Sequence, residues 1–267
     1  MLEAILLPVA IVAGVGVLAG VILSLSSKFM SVSVDEKLES VRALLPGINC
    51  GACGKAGCDA YAKAIVAEGD KTNRCIPGGD TTSRKISEVL GIPFQDVQEQ
   101  TAFVACKGND DATTDKMIYD GIPTCYSASM FFGGNSSCSY GCLAYGDCAA
   151  ACPYHAILII KGVAVVDAGI CVGCGLCVSK CPKHLISLHP QTGLVHVACS
   201  SRDTGAKTRR FCSNGCIGCK KCERICPAGA VTVTDNLAYV DSEKCTSCGQ
   251  CIEVCPVHVI TGVDFMQ

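Results

Sequence analysis

CSNGCIGCKKCERICP at residues 212–227 and CTSCGQCIEVCP at residues 245–256 are the stretches that decide the fold. Each contains a run of four cysteines in the spacing C-x2-C-x2-C-x3-C with a proline after the fourth, and the first stretch has an extra cysteine, Cys212, before its run. CVGCGLCVSKCP at residues 171–182 repeats this spacing in full. Three intact copies of this spacing in one chain do not arise by chance, so we expect the cysteines of each run to serve together as ligands of a bound group.

The spacing of these runs indicates ligands of 4Fe-4S clusters, in which the fourth cysteine of one run ligates the cluster of the paired run. Zinc sites usually contain two C-x2-C pairs separated by a longer loop, and disulfide frameworks are typical of short secreted chains. Neither alternative fits these runs. The full runs are Cys171, Cys174, Cys177 and Cys181; Cys216, Cys219, Cys222 and Cys226; and Cys245, Cys248, Cys251 and Cys255.

An internal repeat extends the pattern toward the N-terminus. VAC at residues 104–106 precedes CSYGCLAYGDCAAACP at residues 138–153, as VAC at residues 197–199 precedes the run at Cys212. Apolar residues 156–160 and 230–233 follow the two C-P pairs, and they predict short strands. The repeat therefore predicts a duplicated bacterial ferredoxin-like unit of the βαβ type over residues 103–267, and an α+β fold class for the chain.

The crossed-ligand rule assigns most cysteines of the repeat. Three sets are complete: Cys216, Cys219 and Cys222 with Cys255; Cys245, Cys248 and Cys251 with Cys226; and Cys171, Cys174 and Cys177 with Cys152. A fourth set lacks one ligand, because Tyr145 stands where the second copy has Cys219. Its other members are Cys142, Cys148 and Cys181.

Either Cys125 or Cys138 completes the fourth set. The other one joins Cys106, Cys199 and Cys212 in a further site between the two copies. The repeat aligns Cys138 with Cys212, so we favour Cys138 for the site between the copies and Cys125 as the substitute ligand.

The N-terminal cysteines form a unit of their own, predicted at residues 43–80. Its ligands are Cys50, Cys53, Cys58 and Cys75, and glycines 51, 54 and 57 lie between them, where the backbone must approach a bound group closely. Helices are predicted at residues 59–68 and 82–90, the second within a helical connector at residues 81–102. The spacing is not that of a ferredoxin run, so zinc stays an alternative here. With this set, the 24 cysteines divide into six groups of four, which predicts six 4Fe-4S clusters.

Residues 4–25 are uncharged and almost wholly apolar, close to the roughly 20 residues that a helix needs to cross a membrane. Glu3 precedes them and no A-x-A cleavage site follows, which disfavours a signal peptide. We predict a single-pass anchor at residues 1–27 and a polar linker at residues 28–42. Lys28, Lys37 and Arg42 follow the anchor, so the positive-inside rule predicts a cell-membrane protein with its cysteine domains in the cytoplasm.

Other functions find little support in the sequence. The formal net charge is -2, which gives no electrostatic reason to expect nucleic acid. GAKT at residues 205–208 lacks the first glycine of a P-loop. No arrangement of nucleophile, base and oxyanion donors is visible outside the cysteines, so we expect no substrate-transforming site. His155, His184 and His258 recur after the C-P pairs, and we expect them to pack beside the cysteine loops rather than to bind metal.

The order of these motifs resembles that of the B subunit of the Rnf complex. The resemblance covers nearly the whole chain. It is carried by the anchor and by LLPGINCGACGKAGCDAYAKAI at residues 44–65, NRCIPGG at 73–79, FVACKG at 103–108 and CSYGCLAYGDCAAACP at 138–153. It implies a membrane-bound carrier that accepts electrons from reduced ferredoxin. The electrons then pass through the iron–sulfur and flavin centres of partner subunits to NAD, coupled to sodium or proton translocation.

Two questions stay open at this level. Lysines and arginines are dense from residue 202 to residue 224, and they either steer an acidic ferredoxin toward the C-terminal pair of clusters or offset the clusters' negative charge. They are Arg202, Lys207, Arg209, Arg210, Lys220, Lys221 and Arg224. The chain could also serve another membrane redox complex, such as a hydrogenase, or store metal without redox traffic. The isolated Cys50 unit argues against the hydrogenase.

Overall fold

The computed structural model describes residues 2–29, 36–191 and 195–262. Helix α1 begins at Leu2 and ends at Phe29, and its side chains are described from residue 12 to residue 26. Within the described part of the chain, no helix combines the length and the apolar character that crossing a membrane requires. The anchor at residues 1–27 stays a prediction, and part of the linker predicted at residues 28–42 lies outside the described residues.

The N-terminal unit is a small three-helix arrangement around the first four cysteines. Its helices are α2 (Glu36–Leu44), α3 (Cys58–Glu68) and α4 (Gly79–Leu90). Val41, Tyr61 and Ile86 are almost fully buried between these helices. Gly69 ends α3 with a φ of 67°, a left-handed conformation that glycine adopts without a steric penalty. Both helices predicted here are present, and each begins slightly earlier than predicted.

The first copy of the repeat is built from two antiparallel strand pairs and three short helices. Its elements are β1 (Gln100–Val104), α5 (Cys125–Ser129), α6 (Asp147–Ala150), β2 (Ile157–Ile160), β3 (Val163–Val166), α7 (Leu176–Lys180) and β4 (Ile186–Pro190). β1 pairs with β4, and β2 pairs with β3. β1 begins inside the stretch predicted as a helical connector, so only the first part of that connector is helical.

The second copy repeats this plan with shorter strands. Its elements are β5 (His196–Val197), α8 (Gly205–Phe211), α9 (Lys221–Ile225), β6 (Val231–Thr234), β7 (Leu237–Val240), α10 (Gln250–Glu253) and β8 (Ile260–Thr261). β5 pairs with β8, and β6 pairs with β7. The described residues thus contain the two ferredoxin-like copies that the repeat predicts.

The βαβ part of the predicted fold class is wrong, because all strand pairs among the described residues are antiparallel. The physical reason lies in the turns between neighbouring strands. Lys161 and Gly162 both have positive φ, as do Asp235 and Asn236. Two consecutive residues with positive φ form the type I′ turn of a tight hairpin, which returns the chain beside the preceding strand.

Cysteines take the place of large aromatic residues in the cores of both copies. In the first copy, Cys148 and Cys177 are buried against the strand residues Ile157 and Ile186. In the second copy, Cys216 and Cys251 pack in the same way against strand and turn residues. Because these thiols form part of each hydrophobic core, a group that they bind is also part of the folded interior.

Candidate metal centres

One set of four thiols lies between the two copies. Cys106, Cys138, Cys199 and Cys212 line a single cavity. Gly108 borders it, and a Cβ atom on this residue would lie 3.4 Å from the Cys212 sulfur and 3.7 Å from the Cys106 sulfur. A glycine at this position therefore leaves space beside the sulfurs.

Two further sets also line one cavity each. Cys216, Cys219, Cys222 and Cys255 surround the first. Cys152, Cys171, Cys174 and Cys177 surround the second. In both, three thiols come from one loop and helix start, and the fourth comes from the C-P turn of the other run in the same copy. This is the crossed arrangement that the spacing predicts.

The effect of thiolate charges on the pKa of nearby thiols shows which of the remaining cysteines are neighbours. Burial, and then the charges of Cys142, Cys125 and Cys181, together raise the pKa of Cys148 to about 12. Cys125 therefore lies with the three thiols that lack a ferredoxin ligand, and Cys138 lies with Cys106. The structure thus has the arrangement that the repeat favours, while ligation itself stays a prediction.

The two outermost sets show the same effect. Burial and the charges of Cys58, Cys50 and Cys53, partly offset by the Gly78 amide, raise the pKa of Cys75 to about 11. Burial also raises the pKa of Cys251, and so do the charges of Cys245, Cys226 and Cys248. All 24 thiols thus fall into six neighbourhoods of four.

These sets of four thiols fit a bound cationic group that is ligated by thiolate sulfurs. Four thiolates that raise one another's pKa repel each other, and a bound cation removes this repulsion when it binds the deprotonated sulfurs. Among the described residues, no group of three or more His, Cys, Asp or Glu side chains is gathered as a site for a metal ion. In the cavities, the thiols lie around an open space, which suits a core of several atoms.

The turns after Cys152-Pro153, Cys181-Pro182 and Cys226-Pro227 each direct a backbone amide at a sulfur. His155 has a φ of 53° and its amide donates to the Cys152 carbonyl oxygen at 3.2 Å. This turn aims the next amide, that of Ala156, at the Cys152 sulfur at 3.4 Å. The same turn recurs with Leu185 and Cys181, and with Ala230 and Cys226. The recurrent histidines thus have a role in turn geometry, as residues tolerated at positive φ.

Asp147 holds the helix that carries Cys125, a role that the sequence analysis missed. Its carboxylate accepts hydrogen bonds from the backbone amides of Cys125 at 2.9 Å and Tyr126 at 3.0 Å. Thr124 caps the same helix by accepting from the Ser127 amide at 3.1 Å. In the sequence, this role of Asp147 is indicated only by a difference between the two copies, because Lys221 occupies the matching position of the second copy.

Neighbouring sets are linked through single backbone amides. The Cys142 amide donates to the Cys106 sulfur at 3.4 Å, which joins the Cys125 set to the set between the copies. The Cys216 amide donates to the Cys199 sulfur at 3.3 Å, which joins that set to the second copy. Cys142 and Cys216 each supply their sulfur to one set and donate a backbone hydrogen bond to a sulfur of the neighbouring set.

The N-terminal unit contacts the first copy where the Cys50 set lies beside the set that contains Cys174. The charge of Cys50 contributes to the raised pKa of Cys174, after the larger effect of burial. Gly173 lies at this contact with a φ of 64°, and a Cβ atom there would be 3.1 Å from Ile76. Ile76 follows Cys75 directly, so the two loops that carry cysteines touch each other.

The basic residues predicted to steer a partner are mostly on the surface of the second copy. Arg209 and Arg210 are exposed on α8. Lys207 forms an ion pair with Asp203 at 2.7 Å, and Lys220 lies 3.8 Å from Glu223. Arg209 and Arg210 therefore present two adjacent positive charges on the surface of this region.

Family models match three stretches of the chain. Residues 45–77 match a model described as "Putative Fe-S cluster", and they contain the first four cysteines. Residues 170–231 and 215–259 each match a 4Fe-4S dicluster domain. The chain therefore contains 4Fe-4S domains. The Cys125 set lies largely between the matched stretches, where Tyr145 interrupts the ferredoxin spacing.

The B subunit of an ion-translocating oxidoreductase complex from Methanosarcina acetivorans is 39% identical over 88% of this chain and 90% of its own length. The chain belongs to this B-subunit family. The B subunit of the Na⁺-translocating ferredoxin:NAD⁺ oxidoreductase complex of Acetobacterium woodii is 38% identical over 91% of this chain and 74% of its own length. The B subunit of the proton-translocating complex of Clostridium ljungdahlii is 34% identical over 85% of this chain and 81% of its own length. The named relatives of this family thus include both sodium- and proton-translocating complexes.

Proposed function

We propose that this chain is the membrane-anchored electron conduit of an ion-translocating ferredoxin:NAD oxidoreductase complex, and that it holds six 4Fe-4S clusters. The observation that carries the proposal is the unbroken succession of four-thiol sets, joined by the amide contacts from Cys142 to Cys106 and from Cys216 to Cys199. Membership of the B-subunit family supports the same function.

Each cluster would have four cysteine ligands. In spatial order from the N-terminal unit, the sets are Cys50, Cys53, Cys58 and Cys75; Cys152, Cys171, Cys174 and Cys177; Cys125, Cys142, Cys148 and Cys181; Cys106, Cys138, Cys199 and Cys212; Cys216, Cys219, Cys222 and Cys255; and Cys226, Cys245, Cys248 and Cys251. Amide contacts, the Cys50–Cys174 approach and the shared runs of cysteines join each set to the next, so we infer that removal of a middle set would separate the two ends.

When bound, a 4Fe-4S cluster accepts and releases one electron at a potential set by hydrogen bonds to sulfur, burial and charge. The residues of this chain fix the positions of the sulfurs and bury ten of the 24 cysteines. The amides of Ala156, Leu185 and Ala230 donate to sulfurs, which stabilises the thiolate charge. The protein's contribution is therefore positional and electrostatic.

The two ends of the row differ in exposure. Among the cysteines, which are all described, only Cys219 and Cys248 are exposed, and they belong to the two C-terminal sets. Arg209 and Arg210 lie on the surface of the same copy. We infer that an acidic ferredoxin delivers electrons at this end, because positive charge on the copy that carries the exposed sulfurs favours a negatively charged donor.

The Cys50 set lies at the opposite end, in the unit that follows α1 in the chain. We infer that it passes electrons to membrane partners of the complex, with α1 as a single-pass anchor in the cell membrane and the cysteine domains on the cytoplasmic side. The apolar residues 4–25 and the basic residues after them support this orientation. The coupling ion is either sodium or a proton.

Anaerobic iron and sulfide analysis, with EPR spectra before and after reduction by ferredoxin, tests this function. We expect about 24 iron atoms per chain, four for each cluster, and spin-coupled signals after reduction. Zinc in place of iron, or iron that reduced ferredoxin does not reduce, would reject the conduit.

A further inference from the structure

The first copy contains an insertion that the second copy lacks. Residues 107–137 separate Cys106 from Cys138, whereas only residues 200–211 separate the matching Cys199 and Cys212. The insertion contains α5, so it supplies Cys125 to the set in which Tyr145 replaces a ligand. Supplying one thiol requires only the buried side of α5, and the insertion also has a large outer surface.

This outer surface is apolar and open to solvent. The side chains of Ile118, Phe132 and Met130 are 97%, 86% and 70% exposed. Those of Ile122, Tyr126 and Phe131 are 68%, 65% and 55% exposed. Tyr119 packs against Phe131 at 5.8 Å between ring centres, which brings the two ends of the segment together. We call these six exposed side chains the insertion face.

The backbone beneath the insertion face is held in place. The Lys116 amide donates to Asn135 at 2.8 Å, and the Ser137 amide donates to Thr114 at 2.8 Å. The Lys116 ammonium donates to the Phe132 carbonyl oxygen at 2.9 Å. Asp147 fixes the start of α5. The apolar side chains are therefore presented by an ordered surface, and their exposure does not result from a loose loop.

The insertion face is large enough for a stable protein contact. Aromatic side chains bury about 150–250 Å² each. With the isoleucines and the methionine counted on the same scale, six large side chains exposed by 55% to 97% offer roughly 650–1,100 Å². A standard interface buries about 800 Å² per partner, and permanent interfaces are more apolar than transient ones.

The charges beside the insertion face give no attraction for an acidic occupant. Residues 107–137 contain four aspartates and two lysines, a net charge of -2, whereas residues 200–211 contain four basic residues and one aspartate, a net charge of +3. Asp111 is paired with Lys161 at 3.0 Å, and the Lys183 ammonium lies beside Gly133, so the border is close to neutral. A neutral border offers no positive charge to attract an acidic carrier protein or an anionic lipid surface, whereas the loop of the second copy does.

We propose that the insertion face is the permanent docking surface for another protein of the membrane complex, one with an apolar centre and a neutral or basic rim. This inference rests on the proposed function, since it takes the partner from the same complex. The two matching loops then serve different partners. The basic loop of the second copy meets the mobile acidic donor, and the insertion meets a resident partner next to the Cys125 set.

The test compares two variants of the full chain in the assembled complex. Met130→Glu with Phe132→Glu places two charges in the insertion face, and Leu158→Glu places one at another apolar residue that is 59% exposed. The complex is purified in detergent through a tag on this chain, and the recovered proteins are identified by mass spectrometry. We expect the double variant to lose at least one partner protein of the complex by tenfold or more. Leu158→Glu should recover all partner proteins at the wild-type level.

Iron content and the EPR spectrum of the same preparations separate this inference from the proposed function. Full recovery of the partner proteins by an iron-loaded double variant would overturn the docking surface. If the double variant loses iron, a photo-crosslinking phenylalanine analogue at Phe132 of the otherwise wild-type complex decides. Crosslinks to another protein of the complex support the proposal. Crosslinks to a second copy or to lipid only, or none at all, overturn it.

Discussion

The Asp147 carboxylate accepts a 2.9 Å hydrogen bond from the backbone amide of Cys125. Since Cys148 follows Asp147 directly, one short segment supplies a thiol to the third set and also fixes the helix that supplies another. The matching residue of the second copy is Lys221, which has no such helix to hold. Asp147 is thus specific to the copy in which Tyr145 has displaced a ligand.

Asp147→Ala should loosen α5 and cost the chain one cluster. Both amide hydrogen bonds disappear, and a buried donor without a partner is unfavourable by about 1–3 kcal/mol. We expect a loss of about four iron atoms per chain, measured by anaerobic iron analysis. Lys221→Ala is the matched control and should keep its iron. An Asp147→Ala chain with full iron content would show that Cys125 does not depend on this contact.

Exchanging ligands between Cys125 and Tyr145 tests the assignment of the third set. Cys125→Ser should lose about four iron atoms per chain. Adding Tyr145→Cys restores the ferredoxin spacing and should return the iron. Cys138→Ser should also lose a cluster, but from the set between the copies, so Tyr145→Cys should not rescue it. Rescue of Cys138→Ser by Tyr145→Cys would reverse the roles of these two cysteines.

Charge reversal of Arg209 and Arg210 tests the entry point. Arg209→Glu with Arg210→Glu should slow reduction by ferredoxin about tenfold at low ionic strength, and it should flatten the dependence of the rate on salt. Stopped-flow absorbance under anaerobic conditions measures both. Lys180→Glu on the first copy is the control for a change of net charge. Rates equal to wild type in the double variant would mean that ferredoxin docks elsewhere.

His196 makes the stability of the chain depend on pH. It stacks on Phe103 at 4.7 Å between ring centres. Burial, and then the charge of His189, lower its pKa from 6.5 to about 4. Because the unfolded chain binds this proton more readily, the contribution to stability is complete above pH 6.5 and is lost as the pH falls toward 4.

Between pH 7.5 and pH 5.5, this linkage should lower the free energy of unfolding by about 1 kcal/mol. His196→Phe keeps an aromatic ring against Phe103 and removes the proton. Anaerobic urea denaturation at the two pH values should therefore show a smaller loss of stability in His196→Phe than in wild type. An equal loss in both chains would assign the pH dependence to other groups.

The sequence predicts the positions of strands and helices that follow fixed local signals. Strands were expected at residues 156–160 and 230–233, and β2 and β6 occupy Ile157–Ile160 and Val231–Thr234. The C-P turn determines locally where each strand begins, so the spacing of the cysteines is sufficient to predict the positions of these strands. The antiparallel pairing was not predicted, because it depends on the positive φ of the residues between the strands.

Contacts between distant residues could not be predicted in this way. Helix α5 is only five residues long, and its start depends on a carboxylate at position 147. The approach of Cys50 to Cys174 depends on how the N-terminal unit packs against the first copy. The exposure of Phe132 and Ile118 is likewise a property of the folded surface. Local patterns thus assign the thiols to sets, whereas packing determines the order of the sets.

Anomalous diffraction at the iron edge, from anaerobic crystals of the iron-loaded complex, tests the central claim most directly. Six iron peaks are expected in a single row, one at the centre of each four-thiol set, with Cys125 beside the third and Cys138 beside the fourth. Fewer than six peaks, or a peak that joins Cys138 to Cys142 in one site, would contradict the row of six clusters.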